Sequence, residues 1–146
     1  MKRSYLKRNK GFRTDRPRKP LKRGKLAPRR KNRSQREILR DKAWQTFSRW
    51  IRARDKKCVT CGSVADGQAG HFYHGVLDFD EININRQCAR CNKWLHGNLA
   101  VYSNYLLEKY GEQAFKDLTK RHYTAMKGEL RSEQDYIKIV EKYGTP

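Results

Sequence analysis

Two Cys-x-x-Cys pairs, CVTC at 58–61 and CARC at 88–91, are separated by 26 residues. Four thiolates at that spacing suit one tetrahedral zinc ion. Two disulfides or a redox dithiol would be the alternatives. A redox motif does not normally come in duplicate, and nothing in the sequence points to an oxidising compartment. Cys58, Cys61, Cys88 and Cys91 are therefore expected to hold one structural zinc that fastens two distant segments of the chain.

A zinc clip needs only cysteines, yet the second pair runs on as QCARCNKWLHGN, adding Asn92 and His96. If Cys88 and Cys91 open a helix, Asn92 falls on its first turn and His96 lies one turn later on the same face. Both would face the strands carrying Gly70-His71-Phe72 and Asn83. Two imidazoles and two carboxamides in one small volume are what metal-assisted phosphodiester hydrolysis uses. An imidazole removes a proton from water, and ligand atoms hold a divalent ion against the phosphate. Each residue also has a plain role: His71 in a turn, Asn83 or Asn92 as a cap, His96 in solvent. Their order, interleaved with a treble-clef-like cysteine frame, favours a joint one.

Around this centre the chain is strongly basic. Of 146 residues 35 are Lys or Arg and 15 are Asp or Glu, a net charge of +20 that calls for a polyanionic partner. Residues 1–33 hold 16 of the 35 basic residues and one acid, Asp15, so +15 of the charge sits there. With Pro and Gly and few apolar residues, this segment is expected to be a disordered arm that binds phosphate. A solubility tail or a nuclear address is its plainer reading. No apolar stretch follows the basic N-terminus and no long apolar run occurs, so a protein without a membrane span is expected, cytoplasmic, or nuclear if its host has a nucleus.

The mean hydropathy of −1.07 leaves a small core. Ser34 and Glu37 match a capping box, and Leu39, Ala43, Phe47, Trp50 and Ile51 recur at helical spacing, predicting a helix over 35–54. Arg36, Arg40, Arg49 and Arg52 lie on its polar side, and Trp44 and Trp50 are expected in the core. The runs AGHFYH and VLDFDEI suggest two short strands and loops. A helix follows Asn98 and stops at Gly111. Another covers 112–126, and a last one begins at Ser132. The expected division is a basic arm over 1–33, a zinc-bound catalytic domain over 34–111, and C-terminal helices over 112–146 that form a dimer or DNA interface.

CVTCG, AGHF, FDEININRQCARCN, HGN and YSNYLLEKYG together resemble the NinG/Rap family of lambdoid phage recombination proteins, within the HNH or ββα-metal nuclease superfamily. The likeness covers roughly residues 36–125 and is densest over 58–111. It implies an α+β fold, with a zinc-stabilised treble-clef core flanked by helices. It also implies an endonuclease that cuts Holliday junctions and D-loops in the cytoplasm of a bacterial host, together with other recombination proteins. By position, His71 would be the general base, Asn83 would fix the catalytic loop, and Asn92 would bind magnesium or manganese with His96 as a second ligand. Gly70 stands where many such enzymes carry a metal-binding Asp or His. That leaves the first ligand open among Asp66, Asp78, Asp80 and Glu81.

The competing reading is a non-enzymatic zinc-containing nucleic-acid-binding module of ribosomal type. Tail and cysteines fit both readings, while the His71, Asn83, Asn92 and His96 set has a use only in the enzyme. A junction has paired strands to cut, so a homodimer through the aromatic helices after residue 98 is expected.

Overall fold

A computed structural model describes residues 32–125 and 131–144, so 1–31 of the predicted arm lie outside the described residues. Helix α1 covers Gln35–Arg54 and begins as predicted: the Ser34 side chain accepts from the Glu37 N–H, and the Glu37 carboxylate accepts from the Ser34 N–H. Its apolar face is fully buried at Ala43, Phe47 and Ile51. Trp44 and Trp50 are only half-buried.

Two four-residue strands follow, β1 over Gln68–His71 and β2 over Ile84–Gln87, paired antiparallel with Gly70 opposite Asn85 and His71 opposite Ile84. Side chains alternate across the sheet. Ile84 joins Phe47 and Ile51 under α1, while Asn85 donates to the hydroxyl of Tyr102 on the other side. VLDFDEI is not a strand. Phe79 sits at φ 71°, and Asp80 turns its carboxylate onto the N–H groups of Ile82 and Asn83, so side chains take the backbone partners that a ladder would have used.

A short π-helical turn, Arg90–Trp94, leads into α2, Leu99–Thr124. Gly111 interrupts α2 with φ 85° and ψ 164°, giving the two helical segments the sequence predicts. Tyr102, Leu106 and Leu118 form a second core cluster with Leu77. In the last helix, α3 over Glu133–Gly144, Ser132 accepts from the Asp135 N–H. It packs on α1, with Tyr143 edge-on to Phe47 at 4.8 Å. Residues from Asn32 onward therefore form one compact α+β unit, and residues 112–144 share its core with residues 34–111.

Candidate functional site

The cysteines converge as their spacing requires. All four sulfurs lie within 4.8 Å of one another, with Cys61 Sγ and Cys88 Sγ 3.6 Å apart and every cysteine free. Zinc–sulfur bonds near 2.3 Å place tetrahedral sulfurs about 3.8 Å from each other, so the cluster could hold a metal such as zinc. Cys58, Cys88 and Cys91 are buried, and Cys61 is exposed. Burial pushes the Cys58 thiol up, but the Thr60 hydroxyl and the backbone N–H groups of Cys88, Thr60 and Cys61 bring it down to about 6. Against the Ser63 N–H, which lowers it, burial and contact with the other thiols push the Cys61 thiol up to about 12, and burial raises Cys91. Cys58 is therefore the cysteine first placed to ligate as thiolate.

His71 ends β1. Its ring stacks on the Trp44 indole at 5.0 Å and 15°, and on His74 at 5.2 Å and 28°. Its Nε2 lies 3.1 Å from Asp78 Oδ1. These four residues line a cleft of about 390 Å³ together with Arg40, Asp41, Gly75 and Phe79.

Asn83 is fully buried where the chain returns to β2. Its Oδ1 accepts from the Tyr73 N–H at 2.8 Å, and its Nδ2 donates to Tyr73 O at 2.8 Å and Leu77 O at 3.2 Å. One side chain thus closes the loop that starts at His71. Phe72 N–H donates to Asn83 O at 2.9 Å, and Arg121 reaches from α2 to Asp80, securing the same loop.

Asn92 sits in the π-helical turn, where its Nδ2 donates to Gln68 Oε1 at 2.9 Å. Its Oδ1 would lie 3.1 Å from a Cβ built at Gly70, and that Cβ would overlap the Gln87 amide oxygen. The Gln87 Nε2 donates to Gly97 O at 2.6 Å, which aims Oε1 at Gly70, where it is buried without a hydrogen-bond partner among the described residues. Apart from the cysteines, the described residues contain no close group of three His, Asp or Glu ligands.

The four predicted residues are brought together only in part. His71 and Asn83 bracket one loop. Gly70 precedes His71 in β1 and faces Asn92, so Asn92 lies across the sheet from the His71 ring. The helical turn carrying Asn92 ends at Trp94, and His96, exposed with φ 49°, lies in the next turn instead of continuing the helical face. Of the acids considered as first metal ligand, Asp80 caps the loop, Glu81 pairs with Lys142 and Tyr143, and Asp66 is exposed. Only Asp78 touches His71. The helical position of Trp44 points to the core, and nothing local in sequence marks it as a partner for a ring 27 residues away.

Fold and site define an α+β protein built on a four-cysteine knuckle, with a histidine-lined cleft at the end of a two-stranded sheet. The chain belongs to the Bacteriophage Lambda NinG protein family, whose model matches residues 1–144. It is similar to Protein ninG of Escherichia phage 933W, 35% identical over 88 residues that cover 55% of this chain and 44% of the relative. Protein ninG of Salmonella phage P22 is 36% identical over 88 residues, covering 55% and 43%. For Protein ninG of Escherichia phage lambda the values are 34% over 88 residues, 55% and 43%. The match thus spans less than half the length of these relatives. No solved structure matches the chain.

Proposed function

We propose that the protein is a metal-dependent, structure-selective DNA endonuclease that hydrolyses phosphodiester bonds in branched recombination intermediates such as Holliday junctions and D-loops. The observation that carries this reading is the His71 imidazole, held by two rings and a carboxylate at an open cleft and backed by a loop that the buried Asn83 locks. In the reaction, His71 takes a proton from water. The water oxygen forms a bond to phosphorus, one bridging P–O bond breaks, and the leaving oxygen takes a proton from solvent. Asn92, with His96 as a second ligand, would hold a magnesium or manganese ion, whose chemistry when bound would be charge neutralisation, although Asn92 lies across the sheet from the His71 ring. Zinc at the cysteines is structural.

DNA as partner is supported by the net charge of +20, and reading of shape by phosphate contacts suits branched substrates. Leu99, Val101, Leu107 and Tyr123 leave apolar side chains of α2 exposed for a homodimer. Membership of a phage protein family supports the cytoplasm of a bacterial host as the site of action. Among the described residues no helix is long and apolar enough to cross a membrane.

A second reading, a non-enzymatic zinc-containing nucleic-acid-binding module, is favoured by one observation: His71 and Asn92 lie across the sheet from each other. Labelled four-way junction and matched linear duplex, incubated with and without magnesium or manganese, separate the two. Metal-dependent nicking of the junction is expected from the endonuclease. Tight binding without cutting under every divalent ion would make the protein the passive module.

A further inference from the structure

The His71 ring has one ion-pair partner among the described residues, and it is a side chain of its own loop, the Asp78 carboxylate. Asp78 Oδ1 stands 3.1 Å from Nε2, while the Trp44 and His74 rings stack on the imidazole and limit its rotation. A carboxylate has only acceptor sites, so it favours the imidazole that carries its proton on Nε2 and leaves Nδ1 as the acceptor. The local chain is built to deliver this carboxylate. Asp78 sits in the loop that Asn83 closes, one residue after Leu77, whose carbonyl accepts from Asn83 Nδ2 and whose side chain is buried beside Tyr102. The Asp78 backbone N–H reaches Gly75 O at 3.4 Å, turning the chain back over His71. His71 is 16% exposed and Asp78 44%, so the pair opens into the cleft with its carboxylate on the solvent side.

We infer that Asp78 is the positioning residue of His71: it selects the Nε2–H tautomer and holds the ring so that Nδ1 is the nitrogen that receives the proton from water. This rests on His71 being the general base. When Nδ1 accepts that proton, the imidazolium keeps its Nε2–H on Asp78, and the opposite charge stabilises it where it forms. Arg40 and Asp41 line the same cleft without joining this pair; Asp41 is bound instead by Arg33 and faces Arg40 at 3.7 Å.

The test uses the full chain and two readouts. Nitrogen-15 NMR of the His71 ring should show the proton on Nε2 in the unaltered protein, and a mixture of tautomers or a reversed one in Asp78→Asn and Asp78→Ala. Single-turnover cleavage of a four-way junction should fall by about 10- to 1,000-fold in both variants, less than when a fully buried triad carboxylate is replaced. Zinc content, thermal unfolding and junction binding should be unchanged, and Asp78→Glu should recover part of the rate. The double variant His71→Ala with Asp78→Asn should cut no more slowly than His71→Ala alone. A further loss in the double variant, or an Nε2–H tautomer that survives both substitutions, would overturn the inference. Tautomer loss on substitution in a protein that never cuts DNA would uphold the positioning contact and reject the endonuclease reading.

Discussion

Asn83 and Tyr73 are bonded in both directions: the Asn83 carbonyl oxygen accepts from the Tyr73 N–H, and its amide nitrogen donates to the Tyr73 carbonyl, each at 2.8 Å. A side chain here does what a neighbouring strand would otherwise do. Asn83→Ala leaves a buried N–H and two carbonyls without their partner, so a loss of about 2–4 kcal/mol in unfolding free energy is expected. Because the freed loop begins at His71, cleavage should fall as well, and urea unfolding together with a cleavage assay checks both. Unchanged stability would mean that water replaces the amide at no cost.

The cysteine frame predicts one zinc per chain, measurable by elemental analysis of the purified protein. Stripping it with a chelator, or Cys88→Ser, should abolish cooperative unfolding, since in a polar chain of this size the metal supplies much of the folding free energy. Less than about half an equivalent of zinc in metal-replete protein, or disulfides found by mass mapping, would refute the assignment.

A side chain at Gly70 has to displace the Gln87 amide. A Cβ there would run into the Gln87 amide oxygen, which cannot turn away while its amide nitrogen is tied to Gly97 O. Gly70→Asp, which installs the residue that the HNH resemblance leads one to expect here, should therefore destabilise the fold by about 1–3 kcal/mol instead of creating a metal ligand. Thermal unfolding tests this, and Gln87→Ala in the same chain should restore part of the loss. A stable Gly70→Asp protein that binds manganese more tightly would show that the amide yields.

How much of this was legible beforehand follows from range along the chain. Helix α1 was readable to its ends because its capping box spans four residues and its apolar stripe has one period, and Gly111 and Ser132 mark breaks through their own backbone chemistry. The knuckle was readable because thiolates at that spacing have one common use. VLDFDEI misled because its apolar residues were counted while its side-chain caps were not; Asp80 and Asn83 fold it into turns. His96 left the helical face because the turn at Gly97 is fastened to Gln87 on β2. The pairings of His71 with Trp44 and Asp78 join residues that only tertiary packing brings together.

Asp55 sets an acid limit on stability. Burial pushes its carboxyl up, but the Arg54 guanidinium, the Arg86 N–H and the Lys109 ammonium hold it below the ordinary 3.8. A carboxyl lowered on folding stabilises the native state above its unfolded value and loses that contribution as pH falls through the folded value. Stability should therefore decline below about pH 4, and Asp55→Asn should be less stable at neutral pH with a flatter acid limb. Denaturant titrations across pH 2–7 would contradict this if the two proteins showed parallel curves.

Removal of residues 1–33 takes away +15 of the +20 charge. DNA affinity should weaken and its salt dependence flatten, because fewer counterions are released, while the zinc core stays folded. Binding titrations at several salt concentrations measure the slope, and an unchanged slope would reduce the arm to a solubility tail.

The most direct test of the endonuclease account is His71→Ala, assayed for cutting and for binding on the same four-way junction with magnesium or manganese present. His71 is neither a zinc ligand nor a phosphate-binding charge, so zinc content, folding and junction affinity should stay close to those of the unaltered protein. Cleavage should fall by about two to four orders of magnitude, and added metal should not restore it. A His71→Ala protein that binds and cuts the junction as well as the unaltered chain would contradict the account.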